Sequence, residues 1–348
     1  MSGPGLARGV ASGLGAAVLF GLSTPLAKLL LPGSGPFMLA GLLYLGAGLG
    51  LAALAPFQRT GREAPLRRGD LPTLAGMVVA GGIAGPLLLL FGLARLPGGE
   101  ASLLLNLEAP FTMGIAVLLF GESMSRREAV GAAAVVLGGM LLAWGPGAGA
   151  VHLAGALAVA GASLSWSVDN NLSQRLSLRD PVAVTRVKTL VAGSVNVAVA
   201  LLVGDRLPAP GSLAGALVTG FFGYGLSIVL HLVALRHVGT ARQAAYLATA
   251  PFVGAIASVP ILGERLTGRD AGAGLVMAVG VAILVRSRHG HRHAHDAAEH
   301  DHAHVHDEHH RHDHGEGAVA EPHAHLHRHE AMVHDHVHHP DTHHRHRH

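Results

Sequence analysis

Cysteine is missing from all 348 residues, which removes disulfides, zinc–thiolate centres and thiol catalysis together. Charge is nearly as scarce. Asp, Glu, Lys and Arg make up 14% of the chain against 50% hydrophobic residues, and much of that charge falls after residue 288. Aromatic residues account for 4%. Residues 1–285 are therefore too apolar for a soluble domain and have the composition of a polytopic helical membrane protein. HExxH, GxSxG and phosphate-binding glycine loops are also lacking, so the sequence is read as that of a non-enzyme with no required cofactor. Glycine stretches do occur, but inside apolar runs, where they serve as packing surfaces.

A membrane-crossing helix needs roughly 20 apolar residues. Such windows fall at about 10–31, 36–55, 71–94, 101–120, 128–144, 151–173, 181–203, 212–236, 240–262 and 269–285. Ten spans result, joined by short connections rich in Gly, Pro and Arg, such as Pro32-Gly33-Ser34-Gly35-Pro36. The first window is too long for a cleavable signal and reads as the first span. Arginines collect in alternate loops: Arg59, Arg62, Arg67 and Arg68 after the second span, Arg126 and Arg127 after the fourth, Arg175 and Arg179 after the sixth, Arg236 and Arg242 around the eighth. That bias places both termini in the cytosol of a protein of the cell membrane, although Arg265 and Arg269 run against it.

The chain repeats itself. Asn106-Leu-Glu-Ala-Pro-Phe111, an apolar run, Gly121-Glu122 and Ser125-Arg-Arg-Glu128 are echoed by Leu247-Ala-Thr-Ala-Pro-Phe252, an apolar run, Gly263-Glu264 and Thr267-Gly-Arg-Asp270. Five spans lie in each half, an odd number, so the second copy enters the membrane upside down, as in secondary transporters. The expected fold is an all-α polytopic membrane protein of ten transmembrane helices in two inverted five-helix repeats, residues 1–145 and 146–286. A disordered His-rich tail, residues 287–348, follows. Gly13, Ala17 and Gly21, Gly81 and Gly85, and Gly215, Thr219 and Gly223 recur every four residues and predict close helix packing.

The same segments, NLEAPFTMGIAVLLFGESMSRREAVGAAAVVLGGMLLAW and LATAPFVGAIASVPILGERLTGRDAGAGLVMAVGVAIL, resemble the two signature segments of the EamA family in the drug/metabolite transporter superfamily. The resemblance spans nearly all of residues 10–285 and stops before the tail. It implies a central cavity between the halves and export of small metabolites, amino acids or drugs, without naming a substrate.

Ionisable groups within spans cost a few kcal/mol or more each and are usually turned inward. Glu108, beside Asn106 in the fourth span, reads as a cavity carboxylate or a structural one. Asp169, followed by Asn170 and Asn171 in the sixth span, is at a depth similar to Arg186 and Lys188 in the seventh. An Asp169–Lys188 pair is expected, either static or opening during gating, with Arg186 snorkelling to the interface. His231 in the eighth span reads as a packing residue or a proton carrier. Tyr224, Tyr246, Asn196 and Gln243 offer hydrogen bonds to a polar solute; Trp166 reads as a cavity aromatic, Trp144 as an interface anchor, and Lys28 as a snorkelling lysine. Pro110 and Pro251, matched between the halves, free backbone carbonyls and mark gating points.

All of the 27 histidines except His152, His231 and His237 lie in the tail. His291, His293, His295, His300, His302, His304, His306, His309, His310, His312 and His314, interspersed with Asp and Glu, offer many overlapping low-order sites for zinc, nickel, cobalt or copper ions. Without apolar periodicity the tail is expected to stay disordered unless metal-bound. Nucleic acid is excluded as a partner, because neutral imidazoles and interspersed acids dilute its arginines. Three functions remain: an exporter of a small organic solute, a divalent-metal (Ni, Co or Zn) efflux protein, and a membrane-anchored metal-binding or sensing protein. Partners are a small-molecule substrate, the lipid bilayer and divalent metal ions, and assembly as a homodimer is compatible with the sequence.

Overall fold

The computed structural model describes residues 4–55, 64–120, 124–144, 149–176, 179–238 and 240–286 and, in the tail, 289–295, 298–304, 323–329 and 332–338. Ten helical spans are present among them. Span 1 is Pro4–Leu30, span 2 Pro36–Leu54, span 3 Arg68–Leu93, span 5 Arg126–Ala143, span 6 Ala150–Ser173, span 7 Pro181–Leu202 and span 10 Gly268–Arg286. Spans 4, 8 and 9 are interrupted: Gly98–Leu104 then Glu108–Phe120, Pro210–Gly220 then Ser227–Val238, and Thr240–Leu247 then Ala250–Leu262. Nine of the spans are long and apolar enough to cross a membrane. The tenth, span 5, carries Arg126, Arg127 and Glu128 in its first turn and lies along span 10.

The two repeats interleave. Span 2 packs on spans 7 and 8, span 5 on span 10, span 1 on spans 8 and 9, and span 6 on spans 3 and 4. Adding five to each span number converts the pairing 1–8 into 6–3 and 1–9 into 6–4, and leaves 2–7 and 5–10 unchanged, as a two-fold relation between the copies requires. Small residues set these crossings: a Cβ on Gly41 would lie 3.0 Å from the Gly193 carbonyl oxygen, and one on Gly280 only 2.7 Å from that of Gly131. Gly13 and Gly21 face span 9, and Gly223 faces Ser23 of span 1.

Matched positions break in matched ways. In span 4 a 3-10 turn, Leu105–Leu107, precedes Glu108, and in span 9 a turn precedes Ala250. Each break falls just ahead of a proline, Pro110 or Pro251, whose missing N–H cannot bond the carbonyl four residues back. Local side chains take up neighbouring carbonyls, Asn106 Nδ2 donating to Leu103 O at 2.9 Å and Thr249 Oγ1 to Tyr246 O at 2.6 Å. Spans 3 and 8 each contain a π-helical turn, Val78–Ala84 and Phe221–Leu226, which the four-residue glycine spacing did not disclose. Spans 5 and 10 open with capping boxes. Ser125 Oγ accepts the Glu128 N–H at 3.3 Å while Glu128 accepts from Ser125 N at 2.8 Å; Thr267 and Asp270 repeat this at 3.3 and 2.7 Å.

Of the tail, four short segments are described. His289–His295 pairs antiparallel with Met332–His338, and Ala298–His304 with His323–His329. Alternation of histidine with another residue has the period of a strand, a pattern that needs no apolar core to be read. His306, His309, His310, His312 and His314 lie outside the described residues, as do Gly121 and Glu122 of the first repeat motif.

Candidate functional site

The π turn of span 3 builds the centre of a buried polar cluster. A π turn displaces backbone carbonyls from their helical partners, and here the side chains of three neighbouring spans fill the gap. Tyr44 Oη of span 2 donates to Gly81 O at 2.6 Å, Trp166 Nε1 of span 6 to the same oxygen at 3.1 Å, and Asn196 Nδ2 of span 7 to Gly82 O at 3.1 Å. The missing side chain of Gly81 leaves the space that the Asp169 carboxylate occupies. Asp169 Oδ2 is bound by Lys188 Nζ, and the two side chains retain 8% and 16% exposure. The expected pair thus forms, held against a backbone that only glycine allows so close.

Glu108 joins from span 4. Its Oε1 accepts from Asn170 Nδ2 at 2.7 Å, and its backbone carbonyl accepts from Ser167 Oγ at 2.9 Å. Asn171 Nδ2 ties the next turn by donating to Thr112 O at 3.3 Å. Glu108 is within electrostatic reach of both Asp169 and Lys188, while the Lys188 ammonium contacts Asp169. Acceptors are in excess: Asp169 Oδ1, Asn171 Oδ1 and Asn196 Oδ1 are buried with no donor among the described residues. Such a set suits a ligand that brings N–H or O–H donors. Tyr224, from the π turn of span 8, stacks on Tyr44 with ring centroids 5.7 Å apart, and Phe20 meets its edge at 6.0 Å.

Other expected residues lie apart from this cluster. Asn106 faces span 10, 4.0 Å from Met277 Sδ. His231 Nδ1 is 2.8 Å from Gln243 Nε2, with Gln243 fully buried and its Oε1 without a donor among the described residues. Tyr246 lies beside them against Gly13. Pro110 and Pro251 sit in the breaks already described.

A second ionic cluster, at the face opposite the termini, escaped the sequence reading. Gly263, with φ +68°, ends span 9 in the left-handed conformation and delivers the Glu264 carboxylate to the start of span 4, where it accepts from Gly98 N at 2.7 Å and Gly99 N at 3.0 Å. Lys28, far from snorkelling free, donates to Leu96 O and stands 3.4 Å from Glu264. Glu100 accepts from Arg269 Nη2 at 2.6 Å and lies 3.2 Å from His152 Nε2. The Gly-Glu half of the repeated motif, together with Arg269, therefore clamps the two repeats to each other. Glu264 and Arg269 are more than 160 residues from Gly98-Gly99-Glu100, and nothing in the sequence links them to it.

Two segments of the chain, residues 7–144 and 153–286, match the model of the EamA-like transporter family. The chain belongs to that family. An uncharacterized transporter of Methanothermobacter thermautotrophicus is 30% identical over 279 residues, 75% of this chain and 81% of the relative. The uncharacterized inner membrane transporter YedA of Escherichia coli is 27% identical over 67% of this chain and 76% of its own length. A probable amino-acid metabolite efflux pump of Salmonella typhimurium is 28% identical over 53% of this chain and 66% of the pump. A solved crystal structure, 20% identical, shares the fold with TM-score 0.59, covering 79% of this chain and 97% of that one. The chain is a multi-pass membrane protein of a transporter family.

Proposed function

We propose that this EamA-like protein exports a small polar organic solute by alternating access of its two repeats, with no enzymatic step. The observation that carries the reading is the Asp169–Lys188–Glu108 cluster. Charges are expensive inside a bilayer and are retained where a path or ligand uses them, and this cluster joins spans of both repeats with acceptors to spare. Pro110, Pro251 and the two π turns supply the helix breaks on which such spans bend. Tyr224, Asn170 and Asn196 border the solute, while His231 and Tyr246 with Gln243 form the packing joint between spans 8 and 9. The efflux relative supports the outward direction, and the arginine bias of the loops supports cytosolic termini.

The tail is read as a collector of divalent metal ions. Its register sets His291 opposite His336, His293 opposite His334, His300 opposite His327 and His302 opposite His325, a repetition suited to many weak imidazole sites. This pattern is also what favours the second reading, divalent-metal efflux. Against it, the described residues of the body bring no three His, Asp or Glu side chains together as a metal site.

Retention assays in cells preloaded with amino acids, cationic drugs, nickel, cobalt and zinc distinguish the two readings. Faster loss of an organic solute, abolished by Glu108→Gln with the protein still in the membrane, is the expected outcome. Faster loss of a metal alone would replace it by the second reading.

A further inference from the structure

Spans 5 and 10 meet closely at Gly131 and Gly280, where backbone touches backbone. On the same pair of spans an open groove of about 380 Å³ is lined by Arg127, Val279, Ala282, Ile283 and Arg286. Val279, Ala282, Ile283 and Arg286 follow the spacing i, i+3, i+4, i+7 and so share one helix face. Arg286 is the last residue of span 10 and Arg127 the second of span 5, which puts both guanidinium groups at the level where the spans leave the hydrocarbon. Val279 lies about 10 Å deeper at the helical rise of 1.5 Å per residue. Elsewhere on the same two helices Val130, Leu137 and Leu275, like Val279, are more than half exposed.

Neither Arg127 nor Arg286 forms an ion pair or a hydrogen bond with a described residue. The nearest acid in sequence, Glu128, accepts the Ser125 N–H of its own cap. Two like charges lining one cavity repel each other unless an anion lies between them, and the guanidinium fork matches phosphate oxygens bidentately. Two guanidinium groups above apolar side chains suit a phosphate headgroup and the first part of its acyl chain.

We propose that the groove between spans 5 and 10 binds an anionic phospholipid of the surrounding leaflet, its phosphate held by Arg127 and Arg286 and its chain laid along Val279 and Ile283. The ligand comes from the membrane and not from solution, because the groove lies between two spans that expose apolar side chains where lipid surrounds them. The inference is independent of the transported solute.

The test is native mass spectrometry of the full-length protein released from detergent with equal amounts of phosphatidylglycerol and phosphatidylethanolamine. Wild-type protein is expected to retain phosphatidylglycerol preferentially. In Arg127→Gln/Arg286→Gln that retention falls about thirtyfold, the equivalent of roughly 1 kcal/mol per arginine, while phosphatidylethanolamine is unchanged. Arg127→Lys/Arg286→Lys, which keeps charge without the fork, falls between, and the single variants serve if the double variant does not fold. Equal retention by wild type and the glutamine variant would overturn the proposal, as would wild-type indifference between the lipids, which is the result if tail acids or a second copy fill the groove. Displacement of the lipid by millimolar inorganic phosphate would also overturn it, by making the site one for the free ion.

Discussion

Asp169 and Lys188 make the sharpest prediction at the scale of single residues. Removing one partner of a buried pair strands the other, at a cost of about 3–5 kcal/mol, whereas removing both leaves no stranded charge. Asp169→Leu and Lys188→Leu are each expected to lower the melting temperature of the protein in detergent, and the double variant to recover most of the loss. Equal loss in the double variant would show that the pair contributes through something other than its charge. Gly81→Ala addresses the same place from the backbone side. Its Cβ would collide with the Asp169 carboxylate, so transport is expected to fall at least tenfold. Gly272→Ala, with open space around it, should leave transport unchanged. The pair itself was legible because its members are only 19 residues apart on consecutive spans and must reach similar depth. Tyr44 was not, since its partner is a carbonyl released by a π turn, and a single extra residue in a helical turn leaves no mark in a run as uniform as VVAGGIAGP.

Among elements, the repeated motif resolves into three devices: a break before each proline, a capping box at the start of spans 5 and 10, and a glycine turn that delivers Glu264. Ser125→Ala and Thr267→Ala should each cost about 1 kcal/mol of stability, the usual worth of a Ser or Thr cap, read as matched shifts in thermal denaturation. Unequal shifts would mean that the two motifs had diverged in role. The clamp opposite the termini predicts a change in access. Because the chain has no cysteine, a single one can be placed cleanly. Ser258→Cys, fully buried beside Gly98, should resist maleimide in otherwise intact protein and react once Glu264→Ala and Arg269→Ala release span 4. Unchanged reactivity would deny the clamp a part in opening that face. Helix starts and breaks were readable because proline, Ser-x-x-Glu and Thr-x-x-Asp act within four residues of themselves. The clamp was hidden because Lys28 and Glu264 stand at opposite ends of the body and only interleaving of the repeats brings them together.

For the whole molecule, hydropathy alone gave the ten spans, since a bilayer imposes one length on every crossing helix, and the internal echo gave their inverted arrangement. The interleaved pairing could not be read, because apolar faces of similar composition do not state which neighbour they prefer; glycine positions decide it through close approach. Interleaving has a mechanical consequence: with spans 1, 2 and 5 packed on partners from the other copy, access cannot alternate by two sequence halves swinging as separate bodies. On the proposed alternating-access reading, opening runs through spans 3, 4, 8 and 9, which carry the π turns and breaks. The charge cluster sits between the break of span 4 and the π turn of span 3, where small bends change what can reach Asp169 and Glu108. On the proposed reading this cluster serves the passage of an organic solute. Its most direct measurement is efflux from proteoliposomes containing the purified full-length protein, loaded with a mixture of amino acids, cationic drugs and divalent metals and followed by mass spectrometry. Selective loss of one class of organic solute is expected, at least tenfold slower with Glu108→Gln. Retention of every organic solute, with metal leaving through wild-type protein alone, would contradict it.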